Sequence, residues 1–594
     1  MGIPHLKRHL EPYATRIDLD NRAVVIDGPA LAYHILFLCR RTASRNSPFE
    51  LPSYRLLGET VISWLDELLA CGVFVSTIIF DGYLPEAKTE ERKQRLLRLS
   101  KGLGNYFASH PTGVPSGRTG RSQNVVLFPG PFALNSGGSL PIPAFLVPAV
   151  IEALKKSGSY GNLTRVVPGE ADSFCALHVR SHGGVVLTSD SDLLVHDLGQ
   201  NGSVAFFSDL ELKVDSGDQV VVAAEYLPAH ICTRLSIAPG KGIRALAFEL
   251  SIPLSLTFEQ SLERSKRGTS LGAHPMEYEK FIRQYLLPEV VEHEFLSPPA
   301  LDLDPRISEH ILEVIVLSSR PPRATSGDQS SEDGIEGASM YLPFLLDSPS
   351  RTSAWEASRS VRQAAYGLLQ ILMDRPIRKV IEFRRLQSPS GGTHLQLPQL
   401  SSLDSDCLDI IESISRIREI TAQPDIQWVM FSVYQDISLS IAQGKTRPLS
   451  IQVLQMEAKG TLDTTSWEFV HFLAQVQGTL YSLRMLQQIM DFVFNQADQN
   501  MSKPFADLRS YLSKIPPLDE FPLLENFAPL LQHIHQAGCL SAFAAAFQFP
   551  DDVAAQMMRA LHFEERKRQK ATKKPQPVPN GRLSNNPFDL LRPG

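Results

Sequence analysis

Short β-branched runs alternate with helical patterns between residues 22 and 206, and this alternation constrains the fold more than any other feature. The runs are RAVVID, STIIFD, LTRVV, GGVVLTSD and SVAFF. Helical patterns such as PALAYHILFLCRR and EAKTEERKQRLLRLSKGL fill the gaps between them. Strands separated by helices build a mostly parallel sheet with helices on both faces. The sequence therefore predicts an α/β domain in this half of the chain.

Helical periodicity replaces this alternation after about residue 225. Phe472, Val476 and Leu480 recur at helical spacing, as do the apolar residues of SAWEASRSVRQAAYGLLQILM, and a helical packing surface accounts for both stretches. The segments 321–339 and 388–406 are polar, which predicts mobile connections. We therefore expect a largely α-helical C-terminal region.

Two further segments lack a sustained period. Residues 104–140 are crowded with Gly, Ser and Pro, which predicts a mobile insertion in the α/β domain. Residues 566–594 combine clustered Lys and Arg with a Pro-rich stretch, as is typical of a disordered basic tail. This tail fits a nuclear localisation signal, a nucleic-acid contact or a merely solvated segment.

Composition limits the functions open to the chain. Its 594 residues, 43% of them apolar, allow two or more domains with a sizeable core. A net charge of −6 excludes a protein that coats nucleic acid through bulk charge, so such binding needs a local patch. Six cysteines lie far apart without zinc-type spacing, which favours a reduced intracellular setting. Because no apolar stretch is long enough to span a bilayer, we expect a soluble protein without a membrane partner.

Six acidic residues follow predicted strands or begin the helix after one. In an open parallel sheet the working site lies beyond the carboxyl ends of the strands, so these side chains should meet at one edge. A single one of them could merely cap a helix or shape a turn. Six together repel one another unless hard cations neutralise them, and Mg²⁺ takes oxygen ligands. The predicted metal ligands are Asp27, Asp81, Glu170, Asp172, Asp190 and Asp192.

Five motifs in this order resemble the flap endonuclease/XPG superfamily of PIN-like nucleases: MGI, VVIDGPALAYH, IIFDGYLPEAK, PGEADSFCA and LTSDSDLL. The later stretch YLPFLLDSPSRTSAW is similar to the Asteroid-type XPG-domain proteins. The nuclease resemblance covers roughly residues 1–210, and the Asteroid resemblance extends to about residue 565. It implies a PIN-like, mostly parallel sheet flanked by helices and followed by a helical region.

The resemblance also implies a division into domains. We expect an XPG/PIN-like nuclease domain over residues 1–215 and a helical extension over 216–320, in place of the family's helix-hairpin-helix. An Asteroid-type helical domain over 340–565 and the basic tail would follow.

Roles for individual residues follow from the same resemblance. The six acids match the family's metal-site carboxylates, which would hold Mg²⁺ or Mn²⁺, two ions in all. Lys88 and Arg95 match the catalytic basic pair that contacts the scissile phosphate, and Tyr33 matches an aromatic on which a nucleobase stacks. Without the resemblance, Tyr33 fits a core-facing helix position and the basic pair a solvated face. The other expected nucleic-acid contacts are Gly2, Arg92 and Lys101.

One departure from the family bears on catalysis. Members that cut DNA carry a further aspartate in a GCDY-like segment, whereas here the region reads CTRLSIAPGKGIRALAFELS and Glu249 is its only acid. The leading prediction is a nuclear, metal-dependent, structure-specific nuclease that hydrolyses phosphodiesters of branched or single-stranded DNA or RNA, as in DNA repair. The alternative is a catalytically weak or inactive XPG-fold protein that binds nucleic acid or assembles protein partners through its helical C-terminal half.

Overall fold

A sheet of eight strands forms the centre of the N-terminal half. The computed structural model describes residues 3, 5–41, 51–84, 88–114, 125–130, 142–215, 218–238, 242–252, 256–288, 302–319, 337–373, 377–388, 391–496, 501–536 and 538–557. The strands are β1 Thr15–Asp18, β2 Ala23–Asp27, β3 Phe74–Asp81, β4 Thr164–Val167, β5 Gly184–Thr188, β6 Gly202–Phe206, β7 Glu211–Asp215 and β8 Asp218–Tyr226.

The strand order creates a reversal point in the middle of this sheet. The order is β1-β8-β6-β5-β2-β3-β4, with β7 paired to β8. The five strands from β6 to β4 are parallel, and β8 is antiparallel to its neighbours. From β2 the chain first adds β3 and β4 on one side and later adds β5 and β6 on the other. Ligands of α/β sheets bind outside the carboxyl ends of the strands at such a reversal.

Helices cover both faces of the sheet, as the alternation in sequence predicts. Val24 and Ile26 of β2 belong to one hydrophobic core, and Val25 belongs to the other, as the two-residue period of a strand requires. The helices of this half are α1 Leu6–Leu10, α2 Gly28–Arg41, α3 Tyr54–Ala70, α4 Thr89–Ser109, α5 Leu146–Lys156 and α6 Ala171–His182. The predicted α/β fold class is thus confirmed.

Helix α4 corrects the start of the predicted insertion. Residues 104–109, expected in a loop, continue the helix. Glycines weaken an isolated helix, but Phe107 packs on Trp467 with ring centroids 5.2 Å apart. The Trp467 Nε1–H also donates to the His110 carbonyl oxygen at 2.7 Å. Tertiary contacts therefore override local composition here, while residues 115–124 and 131–141 lie outside the described residues.

The helical extension follows the sheet. Two of its helices flank residues 239–241, which belong to the segment CTRLSIAPGKGIRALAFELS and lie outside the described residues. Its helices are α7 Pro228–Arg234, α8 Gly242–Ser251, α9 Phe258–Arg267, α10 Thr269–Ala273, α11 Pro275–Arg283 and α12 Pro305–Ser319.

The C-terminal region is mainly helical but also contains a small sheet. Strand β10 (Lys379–Phe383) pairs in parallel with β9 (Ala338–Tyr341) and antiparallel with β11 (Thr393–Gln396). The helices are α13 Arg359–Leu368, α14 Leu403–Ile420, α15 Pro424–Ala442, α16 Leu449–Lys459, α17 Trp467–Gln496, α18 Lys503–Leu512, α19 Leu524–Gln536 and α20 Cys539–Phe547. Single 3-10 turns are Glu11–Tyr13, Gly161–Leu163, Ser191–Val195, Phe207–Asp209, Ala354–Glu356, Leu369–Leu372, Leu400–Ser402 and Leu518–Glu520.

The small sheet corrects the prediction of a mobile connection at residues 388–406. Strand β11 and the start of α14 both lie within that range. Leu395 of β11 is fully buried and pairs with Val380 across the sheet, so one apolar residue and a backbone ladder order a polar segment. Of the helices in the described ranges, none is both long and apolar enough to cross a membrane. The predicted basic tail lies outside the described residues.

The stretch YLPFLLDSPSRTSAW makes buried structural contacts. Asp347 accepts a hydrogen bond from the Ala354 N–H at 2.8 Å and pairs with Arg385 at 2.7 Å. The Trp355 Nε1–H donates to the Pro343 carbonyl oxygen at 3.0 Å. Because these polar groups are satisfied inside the domain, this part of the stretch belongs to the C-terminal core.

Candidate active site

Four aspartates gather at the carboxyl edge of the parallel sheet, at the reversal between β2 and β5. Asp27 ends β2, Asp81 ends β3, Asp172 lies in the first turn of α6, and Asp190 follows β5. Burial raises the pKa of Asp172 well above its ordinary value, and the charges of the other three raise it further. Charges affect one another in this way only at short range. The four side chains therefore share one site.

Asp27 lies deepest in this site, with only 4% of its surface exposed. Burial raises the pKa of Asp27 to about 7, and hydrogen bonds from Thr188 and Ala30 oppose that rise. The Thr188 hydroxyl donates to Oδ2 at 2.6 Å, and the Ala30 N–H donates to Oδ1 at 3.2 Å. Both carboxylate oxygens are thus held in a fixed orientation. Thr188 stands in the LTSD motif, so its presence near the site was readable from the sequence.

Asp81 is oriented by the neighbouring helix. The N–H of Ala171, the first residue of α6, donates to Asp81 Oδ1 at 2.7 Å. Glu170 stands at the N-cap of that helix but makes no side-chain capping bond, so Asp81 satisfies a helix-end amide in its place. Burial raises the pKa of Asp81 to about 6.

The glycines that directly follow these two strand ends are required by close packing. A Cβ on Gly28 would lie 2.7 Å from the Ile79 carbonyl oxygen, and one on Gly82 would lie 2.3 Å from the Val167 carbonyl oxygen. Gly82 is not among the described glycines with positive φ. The Asp-Gly pair at residues 81–82 is therefore a point of close backbone approach rather than the turn that its sequence suggests.

Lys88 reaches the acidic edge from the start of α4. Its Nζ lies 3.3 Å from Glu170 Oε1, and both side chains are partly exposed. Burial lowers the pKa of Lys88, but the Glu170 carboxylate outweighs burial, so the pKa lies above its ordinary value. The structure thus places Lys88 beside the acids, as the sequence predicts.

Asp192 borders the site and is held by two distant parts of the chain. The Ile3 N–H donates to Oδ1 at 2.9 Å, and the Tyr285 hydroxyl donates to Oδ2 at 3.4 Å. Burial and the charge of Asp190 raise the pKa of Asp192 to about 6. Arg244 Nη2 donates to the Tyr285 carbonyl oxygen at 3.4 Å. The helical extension therefore completes one wall of the site, and sequence reasoning missed Tyr285 because no local signal marks it.

The donor set has the chemistry of a site for a hard divalent cation, since carboxylate oxygens are the ligands of Mg²⁺ and Mn²⁺. Within the described ranges, however, no three His, Cys, Asp or Glu side chains are arranged to hold a metal ion. Glu249 does not supply the missing aspartate, because it is buried and pairs with Arg264 Nε at 3.0 Å. The chemistry of these donors fits a hard cation, but their oxygen atoms are not arranged around one point where it could bind. The metal role of the six acids therefore stays a prediction.

The remaining predicted contacts with nucleic acid lie on α2 and α4. Tyr33 is 48% exposed, so it is not the core-facing residue that the helical pattern alone favours. Arg95 is 61% exposed and pairs with Glu91 one turn earlier on the helix. Lys101 is also exposed. Gly2 lies outside the described residues.

Arg92 has a structural role in addition to its predicted contact with nucleic acid, which stays a prediction. Its Nη1 and Nη2 atoms donate to Glu309 Oε1 and Oε2 at 2.6 and 2.8 Å. The guanidinium also lies 3.8 Å from the centre of the Tyr341 ring. Both side chains of the ion pair are less than a fifth exposed. These partners lie on α12 and β9, far along the chain, and they hold the guanidinium in place.

Comparison with known proteins relates the chain to XPG-domain and Asteroid proteins. A family model described as XPG domain containing matches residues 142–397, a range that includes four of the six acids and continues into the small C-terminal sheet. Asteroid homolog 1 of Schizosaccharomyces pombe is 22% identical over 430 residues, which are 70% of this chain and 68% of that protein. The chain is therefore similar to XPG-domain proteins over residues 142–397 and to an Asteroid protein over most of its length.

Proposed function

We propose that the chain is a metal-dependent nuclease that hydrolyses phosphodiesters of single-stranded or branched nucleic acid. The supporting observation is the group of four aspartates at the strand reversal, in which the neighbouring charges add to burial in raising the pKa values of Asp27 and Asp172. Such repulsion destabilises the folded state unless a cation offsets it. An XPG-type domain that retains this costly cluster at a ligand-binding edge therefore has a functional reason to keep it.

The chain's own residues would divide the work. Asp27 and Asp81 are held rigidly by hydrogen bonds from Thr188 and Ala171, which preorganises two donors at the edge. Bound Mg²⁺ or Mn²⁺ would activate a water molecule and stabilise the leaving oxygen. The Lys88 ammonium, held by Glu170, would steady the phosphate that approaches the acids.

The surface beside the site favours a single strand as the substrate. Arg95, Arg98 and Lys101 are exposed along α4, which begins at the acidic edge. Tyr33 lies six residues after Asp27 on the adjoining helix, about 9 Å further along its axis. Cations that track a backbone next to an exposed ring are typical of single-strand binding.

A specific observation favours a second candidate, a protein that binds nucleic acid but cuts it weakly or not at all. The described residues hold no ready three-ligand group, and Glu249 is already paired with Arg264. A site that must rearrange before it holds its ions would catalyse slowly, although its basic helix would still bind.

A nuclease assay tests the proposal. Labelled single-stranded, flap and duplex oligonucleotides are incubated with Mg²⁺ or Mn²⁺, and separately with a chelator. We expect metal-dependent cleavage of the first two, lowered by about 100-fold or more in Asp27→Asn. Asp425→Asn, which alters an exposed aspartate in the helical half, should cut normally. Cleavage that survives Asp27→Asn would overturn the proposal, and binding without cleavage at any metal concentration would favour the second candidate.

A further inference from the structure

A cavity of about 210 Å³ lies where the α/β domain meets the C-terminal domain. Helices α2, α4 and α5 contribute most of its walls, and the segment after β9 closes it. The cavity is smaller than the 300–1,000 Å³ of sites for drug-sized ligands, so it suits a single ring system. The lining residues that matter here are Tyr33, Leu99, Leu103, Arg306, Phe344 and Leu346.

Arg306 brings a positive charge to this mostly apolar cavity. Its backbone N–H donates to Asp304 Oδ1 at 3.1 Å, but within the described ranges its guanidinium has neither an ion pair nor a side-chain hydrogen bond. Arg306 is half-buried. A guanidinium that is partly removed from water without an anion is costly, which favours an anionic ligand beside it.

The rim of the cavity adds further positive charge. Arg98 stands four residues before Gly102, so it lies on the same side of α4 as this glycine, which lines the cavity. Its side chain is exposed and makes no ion pair within the part of the chain that the structure describes. The distance from Lys88 to this rim is about 21 Å along α4, a span of several nucleotides.

We infer that this cavity, the base pocket, receives one unstacked nucleobase of a single-stranded nucleic acid while Arg306 contacts the neighbouring phosphate. The class of ligand rests on the proposed function. The location rests on charge and shape, because an exposed ring beside free cations combines base stacking with backbone attraction. Arg306 lies on α12 of the helical extension, and Phe344 and Leu346 follow β9 in the C-terminal domain, so both regions complete the pocket and take part in substrate binding.

Binding measurements in chelator test the pocket without cleavage. The probe is a fluorescent oligothymidylate, titrated by anisotropy against the parent, Arg306→Gln and Tyr33→Leu at several salt concentrations. Arg306→Gln should weaken binding about fivefold. It should also reduce the slope of log affinity against log salt concentration by somewhat less than one. Tyr33→Leu should also weaken binding about fivefold or more but leave the salt dependence unchanged. Arg55→Gln, which alters an exposed arginine outside this cavity, should bind like the parent.

A second probe distinguishes contacts with the nucleobase from contacts with the phosphate backbone. With an abasic oligonucleotide, Tyr33→Leu should bind like the parent because no base remains to stack, whereas Arg306→Gln should still bind more weakly. An oligonucleotide that carries 5-iodouracil should cross-link to peptides containing Tyr33 or Phe344. Cross-links confined to other peptides, together with unchanged affinity of both variants, would overturn the base pocket.

The results also distinguish this inference from the proposed nuclease function. If the parent cuts with metal while both variants bind like the parent, the pocket is wrong and the nuclease proposal stands. If both variants lose affinity while no protein cuts, the pocket stands and the nuclease proposal fails. If the parent binds no single strand at all, both are overturned. Urea unfolding midpoints close to that of the parent confirm that a variant's loss of affinity is not loss of fold.

Discussion

Arg92 and Glu309 form a two-pronged ion pair between helices that are 217 residues apart in sequence. The two N···O distances are 2.6 and 2.8 Å, and the Tyr341 ring packs against the guanidinium. At the other end of α4, Trp467 donates to the His110 carbonyl oxygen. The helix that presents Lys88 to the acidic site is therefore held at both ends by later parts of the chain.

Replacing Glu309 should measure how much the ion pair with Arg92 stabilises the fold. Glu309→Gln leaves Arg92, whose side chain is less than a fifth exposed, without its charged partner, so the free energy of unfolding should fall by about 2 kcal/mol. Urea denaturation gives this value. Glu279→Gln, which removes a pair whose two side chains are more than half exposed, should change stability by about 0.5 kcal/mol or less. Equal effects of the two variants would contradict the assigned role of Arg92.

Loss of the hydrogen bond between Trp467 and His110 should open the C-terminal end of α4 locally. Trp467→Phe keeps an aromatic ring but loses the hydrogen bond to His110, at a cost of about 1 kcal/mol. The neighbouring Val114 N–H, which donates to the Thr465 carbonyl oxygen at 2.7 Å, should then exchange its hydrogen faster. The Leu187 amide in the central strand serves as the internal control. Unchanged protection of Val114 would show that Trp467 does not hold this end of α4.

Metal should stabilise the fold through the acidic cluster. A cation at tenfold its Kd adds about 1.4 kcal/mol to the free energy of unfolding, because it binds the native state preferentially. Millimolar Mg²⁺ or Mn²⁺ should therefore raise the melting temperature of the parent. Asp172→Asn should melt higher than the parent without metal and gain less from metal, whereas Asp425→Asn should respond like the parent. The same metal response in Asp172→Asn and the parent would count against this site.

Glu313 predicts a pH dependence of stability. Burial raises the pKa of Glu313 from 4.5 to about 7, although the Ser339 N–H donates to its carboxyl group at 3.0 Å. Below pH 4.5 the group is protonated in both states. As the pH rises from 4.5 to about 7, the unfolded chain loses its proton first, so this residue's contribution to stability falls, and the loss is complete above pH 7.

The variant Glu313→Gln keeps an oxygen for the Ser339 N–H but cannot ionise. It should be more stable than the parent by about 1 kcal/mol above pH 7 and show no advantage below pH 4.5. Urea midpoints at acidic and mildly alkaline pH provide the comparison. An advantage of equal size at both pH values would place the effect in packing rather than in proton loss.

Salt dependence separates the phosphate contacts on α4 from the structural arginine. Lys88→Ala with Arg95→Ala should weaken single-strand binding and reduce the salt slope by about 1.4, since each phosphate contact on a single strand contributes about 0.7. Arg92→Ala should lower stability, as the loss of its ion pair requires, and change the slope little. A drop in slope of about 0.7 for Arg92→Ala, half that of the double variant, would show that Arg92 contacts nucleic acid.

The sequence by itself determined the α/β half and the edge where the acids meet. Strands and helices that alternate along the chain make a parallel sheet, and a parallel sheet brings the ends of its strands together. Asp27, Asp81 and Asp190 could therefore be placed at one edge from their positions after apolar runs. The helical periodicity around Phe472 likewise indicated a helix, since an amphipathic repeat is a local property.

Only the tertiary structure decided which distant partners those local elements meet. Tyr285 contacts Asp192 across 93 residues, and Arg92 meets Glu309 across 217. No local pattern encodes such a pairing, because a basic residue on a helix looks the same whether it faces water or a carboxylate from another domain. The ordering of β11 and of the end of α4 also depended on contacts made elsewhere in the chain. Propensity describes a segment in isolation, whereas burial against Trp467 or a ladder to β10 supplies free energy that the segment's own sequence does not contain.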